Sequence, residues 1–126
     1  MPDAAHEEIT PGASHLVSSK IALSVAGICE SITFDPKHGS VLRMVGFSLE
    51  EFRSSYGLAP NYRQKLTAGP LEVTAVGPDD DERAIELRDH PFFVATLFLL
   101  QLSSSGGRPH PLIGAFLRGA AEVTKL

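Results

Sequence analysis

The most apolar stretch of the chain lies at residues 92–102 and reads "FFVATLFLLQL". It is apolar at almost every position, which is typical of a β-strand that is covered on both faces. It is much shorter than the roughly 20 residues that a membrane-spanning helix requires. The serines and glycines of residues 103–107 match neither a nucleophile elbow nor a phosphate-binding loop, and we expect a flexible connection there.

Length and composition indicate a single small folded domain. The chain has 126 residues, of which 43% are hydrophobic and 21% charged, as is ordinary for a soluble globular protein. Its net charge of -4 provides no basic surface, so nucleic acid is not an expected partner. The single cysteine, Cys29, excludes an internal disulfide and a multi-cysteine zinc site. No signal peptide is visible, and we expect a cytoplasmic protein without a membrane partner.

The pattern along the chain predicts a flexible leader at residues 1–16 and one domain at residues 17–126. Strands are predicted at 20–27, on both sides of a turn at 35–39, at 70–77, at 83–90 and at 92–100. Ser48 and Glu51 form a capping-box pattern that predicts a short helix within residues 48–57, with an extended segment as the alternative.

Two prolines mark the starts of further helices. Pro60 is expected to begin a helix that Gly69 and Pro70 end. Pro111 is expected to begin a C-terminal helix with one apolar face, formed by Leu112, Ile113, Phe116, Leu117 and Ala120. This order of elements predicts an α/β or α+β fold with a mixed sheet.

Several segments resemble, in order and spacing, the C-terminal half of class I glutamine amidotransferase domains. They are similar in particular to the CTP synthase C-terminal region and to stand-alone proteins related to it. The segments that carry the resemblance are "YGLAPNYRQKL" (56–66), "PLEVTAVG" (70–77), "AIELRDHPFFVATLF" (84–98) and "RPHPLIGAFLRGAA" (108–121). The resemblance implies an α/β fold with an open mixed sheet flanked by helices, at about half the size of the complete domain.

The resemblance also implies that the catalytic histidine and glutamate of this family are replaced. In active members, a cysteine attacks the glutamine amide, a histidine is its base, and a glutamate two residues later orients the histidine. The corresponding positions here are Leu99 and Gln101, with Leu100 between them. Because leucine cannot accept a proton, and neutral glutamine cannot stabilise an imidazolium, we expect no glutamine hydrolysis by this chain alone.

Candidate site residues remain in two places. Glu51, Arg53, Ser54 and Tyr56 place charge, hydroxyl groups and an aromatic ring close together, and Gln101 and Ser103 follow the apolar strand. Open α/β sheets bind ligands at the carboxyl ends of their strands, so a small polar metabolite held by Arg53, Ser54, Tyr56, Gln101 and Ser103 is one hypothesis. Catalysis by Glu51, Arg53, Tyr56 or Gln101 is another. Cys29 lies in "AGICES", which imitates a nucleophile elbow, but a packed strand cysteine is the alternative.

The sequence is therefore consistent with two functions. The first is a shortened amidotransferase-like protein without glutaminase activity, which associates with itself as a homodimer or with a separate subunit, in a biosynthetic pathway. The second is a repurposed small enzyme that performs acid–base chemistry on a small polar metabolite. We expect neither a cofactor nor a metal, because the five histidines show no ligand spacing.

Overall fold

The computed structural model describes residues 3–21, 26–34, 41–45 and 49–124. Within these ranges the chain forms nine strands and three helices. The elements in chain order are β1 Ala5–His6, β2 Leu16–Lys20, β3 Cys29–Ser31, β4 Thr33–Phe34, α1 Val41–Val45, β5 Leu49–Glu51, β6 Tyr56–Leu58, α2 Pro60–Thr67, β7 Leu71–Val76, β8 Glu82–Leu87, β9 Val94–Thr96 and α3 Pro111–Val123.

The described strands form three open sheets. The largest has the order β4-β7-β8-β9, and every neighbouring pair in it is antiparallel. A second sheet has the order β1-β2-β6, with β1 parallel and β6 antiparallel to β2. The third is the antiparallel pair β3-β5. This mixed α/β fold with open sheets confirms the predicted fold class.

Local sequence signals predicted several elements correctly. α2 begins at Pro60, whose fixed φ suits the first helical position, and it ends before Gly69. β7 and β8 pair across the acidic turn, as their alternating patterns predict. α3 begins at Pro111. None of the helices in the described part of the chain has both the length and the apolar character that a membrane crossing requires.

A strand was predicted after residue 39, but residues 41–45, the described part of that segment, form the helix α1 instead. The carboxylate of Glu86, distant in the sequence, accounts for the difference. The N–H groups of Val41 and Leu42 donate to the side chain of Glu86 on β8, at 2.9 and 3.4 Å, and so satisfy two donors at the start of the helix. Leu42 is fully buried in the core. The predicted turn at 35–39, and residues 22–25 of the predicted strand at 20–27, lie outside the described residues.

The helix predicted within residues 48–57 is also wrong, and the extended alternative is correct. β5 and β6 occupy most of the described part of this segment. In β5 and the residue after it, burial alternates: Leu49 is exposed, Glu50 is buried, Glu51 is half-buried and Phe52 is fully buried. Pairing of β5 with β3 therefore outweighs the capping-box signal.

The apolar run at 92–100 forms a shorter strand than predicted. Only Val94–Thr96 pairs, and β9 lies at the edge of its sheet, so the prediction of a strand buried on both faces is wrong. The run then leaves the sheet and places Phe98 in the core, where its ring meets Phe52 edge-on at a centroid distance of 6.0 Å. The buried core cluster consists of Ile32, Leu42, Phe52, Ala75, Ala84, Phe98 and Leu112.

The apolar face predicted for α3 is only partly covered. Leu112 is buried, whereas Phe116 and Leu117 are 53% and 61% exposed. On the side of α3 that meets the domain, Ala115 packs on the core and a Cβ at Gly119 would lie 3.2 Å from Phe92. The Phe116 ring also meets the Phe92 ring, at a centroid distance of 5.4 Å, but about half of the Phe116 side chain stays open to solvent.

The N-terminal segment, expected to be a flexible leader, contains β1 and the first residue of β2. The N–H of Ala5 donates to the carbonyl of His15 at 3.1 Å, and the N–H of Glu7 donates to that of Ser18 at 3.0 Å. The backbone N–H of Lys20 also donates to the Glu7 carboxylate. These bonds join residues 5–7 to the second sheet.

Candidate functional site

The candidate residues of segment 51–56 divide into two local pairs. Glu51 and Arg53 form a salt bridge at 2.7 Å, and the Arg53 side chain is largely exposed. The Ser54 hydroxyl donates to the carbonyl of Tyr56 and accepts from its N–H, both at 3.0 Å. This turn directs the chain into β6.

Gln101 and Ser103 lie in the turn that follows the apolar run, and the Gln101 side chain is exposed there. The hydroxyl of Ser103 donates to Glu50 Oε2 at 2.6 Å, so it supports a buried carboxylate. Segment 51–56 belongs to β5 and β6, which lie in two other sheets than β9. The candidate residues therefore do not follow neighbouring strands of one sheet.

Cys29 is exposed on β3, directly opposite Glu51 of β5. An extended strand provides neither the tight turn nor the helix N-terminus that activates a cysteine nucleophile. Leu99, at the position that the resemblance assigns to a histidine, is half-buried just beyond β9. Its N–H donates to the carbonyl of Glu51 at 3.4 Å, which holds the residue beside β5.

A cavity of about 300 Å³ lies between the β1-β2-β6 sheet and strands β8 and β9. Ser54 and Tyr56 are part of its wall, whereas Glu51, Arg53, Gln101 and Ser103 are not. The wall is mostly apolar, with Val17, Leu58, Leu66, Ile85, Ala95 and Leu97 as its main contributors. Two of the predicted ligand-binding residues, Ser54 and Tyr56, thus line the cavity.

A buried polar cluster surrounds Glu50, and it was not predicted from the sequence. His110 Nε2 lies 2.7 Å from Glu50 Oε1, and both side chains are about 1% exposed. The N–H of Leu112 donates to His110 Nδ1 at 3.1 Å, so this nitrogen carries no proton. His110 is therefore the Nε2–H tautomer, which caps the N-terminus of α3 with one nitrogen and donates to Glu50 with the other.

A second buried pair lies beside the first. Arg83 on β8 donates to both carboxylate oxygens of Glu30 on β3, at 2.6 and 3.2 Å, and its guanidinium lies 5.4 Å from the centre of the Phe52 ring. A Cβ at Gly77 would lie 2.8 Å from Glu30 Oε2 and 2.9 Å from Arg83 Nε. The absence of a side chain at Gly77 therefore allows the ion pair to pack against the backbone.

The sequence signal for the buried residues Glu30 and Glu50 was an alternation of side chains with a period of two residues, as in a β-strand. Glu30 and Ile32 alternate with exposed neighbours, as Glu50 and Phe52 alternate around half-buried Glu51. A carboxylate on the apolar face of a predicted strand indicates a buried charge that needs a partner. In the described part of the chain, no group of three or more His, Cys, Asp or Glu side chains is placed to hold a metal ion.

Comparison with solved structures defines the class of fold. The chain matches the glutaminase domain of Trypanosoma brucei CTPS with bound acivicin at a TM-score of 0.83 and 22% identity, over 96% of this chain and 52% of that chain. The fold is thus that of a class I glutamine amidotransferase-like glutaminase domain, at about half size.

The homologues in sequence are CTP synthases. The chain is 44% identical over 74 residues to CTP synthase of Moorella thermoacetica and 38% identical over 75 residues to that of Chloroflexus aurantiacus. These alignments cover 58% and 59% of this chain, but the chain spans only 14% of the length of either relative. No protein-family model matches the sequence.

Proposed function

We propose that this chain is an amidotransferase-like protein without glutaminase activity, and that it acts by association with a second copy of itself. The observation that carries this proposal is the uncovered apolar face of α3. The kinship to CTP synthases supports a role in a biosynthetic pathway.

The loss of glutaminase activity rests on the side chains that take the catalytic positions. Leu99 offers no nitrogen to accept a proton, and Gln101 carries no charge. The structure contains a histidine–carboxylate pair, His110 and Glu50, but both groups are buried and hold the start of α3. Cys29 lies exposed on the extended strand β3 and, among the described residues, is part of neither a tight turn nor a helix N-terminus. No described group is thus placed for triad chemistry.

The association surface, here called the α3 face, comprises Phe116, Leu117 and Val123. These side chains are between 48% and 61% exposed. Large apolar side chains grouped in this way mark interaction surfaces, because leaving a half-exposed one in water costs about 1 kcal/mol.

The position of the charges on α3 supports a second copy as the occupant. Arg118 and Glu122 lie on the other side of the helix, where they line a cleft with α1 and Phe92. They therefore do not interrupt the α3 face. In a two-fold dimer each such patch meets its own copy, so one apolar surface covers the other without leaving a charge unpaired between them.

The alternative, a repurposed enzyme, has less support. Its proposed carboxylate, Glu51, is bound to Arg53 at the surface, whereas Tyr56 belongs to the cavity wall. General acid–base catalysis requires both groups within hydrogen-bond reach of one substrate.

Light scattering coupled to size-exclusion chromatography tests the association. We expect the purified chain to have twice the mass of one protomer, and the Phe116→Ser/Leu117→Ser variant to be monomeric. Ile9→Ser is the matched control, because Ile9 is 81% exposed but lies in the N-terminal segment; this variant is expected to remain dimeric. A monomeric wild-type chain at micromolar concentration would contradict the proposal, as would release of ammonia from L-glutamine.

A further inference from the structure

We propose that the cavity between the β1-β2-β6 sheet and strands β8 and β9 binds a small uncharged aromatic molecule. This site is separate from the α3 face, and the proposal does not depend on association. It rests on the size of the cavity, on the way its charged wall groups are compensated, and on the aromatic rings at its edge.

The volume limits the ligand to a molecule of one or two rings. The cavity holds about 300 Å³, which is at the small end of the range for sites that bind small molecules. Its wall exposes mainly aliphatic groups, so binding would draw on removal of apolar ligand surface from water.

The electrostatics of the wall favour a ligand without net charge. Arg83 is bound to Glu30 through two hydrogen bonds, and Glu82 accepts from Arg63 at 2.8 Å. The Nδ1 atom of His6 accepts the N–H of Glu8 at 3.2 Å, as expected of a neutral ring. A charged ligand would therefore lose its hydration without gaining a counter-charge.

The edge of the cavity offers an aromatic ring and a hydrogen-bonding group. The rings of His6 and Tyr56 lie 5.1 Å apart, inclined at 52°, and both contribute to the wall. Such tilted aromatic pairs accept a further ring in offset or edge-to-face contact. Among the residues that the structure describes, the Tyr56 hydroxyl makes no hydrogen bond within the protein, so it can bond to a carbonyl or hydroxyl of the ligand.

Nitrogen-15 correlation NMR spectra with benzamide and benzoate test the proposal on the whole chain. The two probes have the same shape and differ in charge. We expect benzamide to cause saturable shifts at the amides of Ser54, Tyr56 and Thr96, with the roughly millimolar affinity that a ligand of this size achieves. Benzoate is expected to bind at least about tenfold more weakly, because its charge has no partner.

A matched pair of variants identifies the site. Ala95 is exposed on the edge strand β9 and contributes to the wall, so Ala95→Trp fills the cavity without disturbing the core. Ala68→Trp makes the same change at an exposed position after α2 that belongs neither to the cavity wall nor to α3. Loss of the benzamide shifts in the first variant alone, with both variants folded by circular dichroism, would support the proposal.

Other results would overturn it. Benzamide shifts centred on α3, or benzamide binding that survives Ala95→Trp, would place binding elsewhere. Equal affinity for benzoate would refute the inferred ligand class. An absence of saturable shifts up to about 10 mM, well above the expected dissociation constant, would remove the site itself.

Discussion

Glu30 and Glu50 lie directly opposite each other on β3 and β5, and the structure buries both side chains. Two facing carboxylates would repel each other, but each binds a different partner. Glu30 binds Arg83 and Glu50 binds His110, so the two-stranded sheet connects β8 to the start of α3. The pairs hold together parts of the chain that are 53 and 60 residues apart.

Replacement of Glu50 by leucine should destabilise the domain strongly. The Nε2–H of His110 and the hydroxyl of Ser103 would lose their acceptor inside the protein, which costs about 2–4 kcal/mol of unfolding free energy. Urea denaturation measures this change. Glu51→Leu is the matched control on the neighbouring residue, and its surface pair with Arg53 predicts a loss below about 1 kcal/mol. Equal losses in the two variants would refute the prediction.

Arg83→Met should cost about 3–5 kcal/mol, because it leaves the Glu30 carboxylate buried without a counter-charge. The double variant Glu30→Leu/Arg83→Met removes both charges and should recover at least about 2 kcal/mol of that loss. Denaturant midpoints of the single and double variants test this. In the control, Arg88→Met removes a guanidinium that binds Glu72 at the surface and should change the stability by less than about 1 kcal/mol. A double variant no more stable than Arg83→Met would contradict the reasoning.

His110 should be observed as the Nε2–H tautomer. Long-range proton–nitrogen NMR spectra distinguish this form from the Nδ1–H tautomer, which cannot accept the N–H of Leu112. A related variant tests the cap. Asparagine accepts well at N-cap positions, so His110→Asn should be about 1 kcal/mol more stable than His110→Ala. Observation of the other tautomer, or of equal stability in the two variants, would exclude the capping role.

The double variant Leu99→His/Gln101→Glu should not release ammonia from L-glutamine. It restores the base and its orienting carboxylate at the positions that the resemblance identifies, but no activated nucleophile is added, because Cys29 is exposed on an extended strand. A coupled ammonia assay measures the outcome, with the wild-type chain as the reference. Ammonia release that disappears in the further variant Cys29→Ser would show that Cys29 is the nucleophile and overturn this interpretation.

Local sequence determined the elements whose signals lie within a few residues. Pro60 and Pro111 begin helices because their φ angle already suits the first turn, and the alternation in β7 and β8 encodes two half-buried strands. The class of fold could also be predicted, because several segments resemble one domain family in order and spacing. These features need no knowledge of distant contacts.

Only the tertiary structure decided the segments whose partners are far away in the chain. α1 is helical where a strand was predicted, because Glu86 caps it from 45 and 44 residues away. Segment 49–51 is extended because β3 pairs with it, and the apolar run after His90 leaves its sheet after Thr96 because Phe98 is buried against Phe52 in the core. The physical reason is common to all three: backbone propensities are worth tenths of a kcal/mol per residue, whereas burial and buried hydrogen bonds are worth more and depend on residues that only the fold brings together.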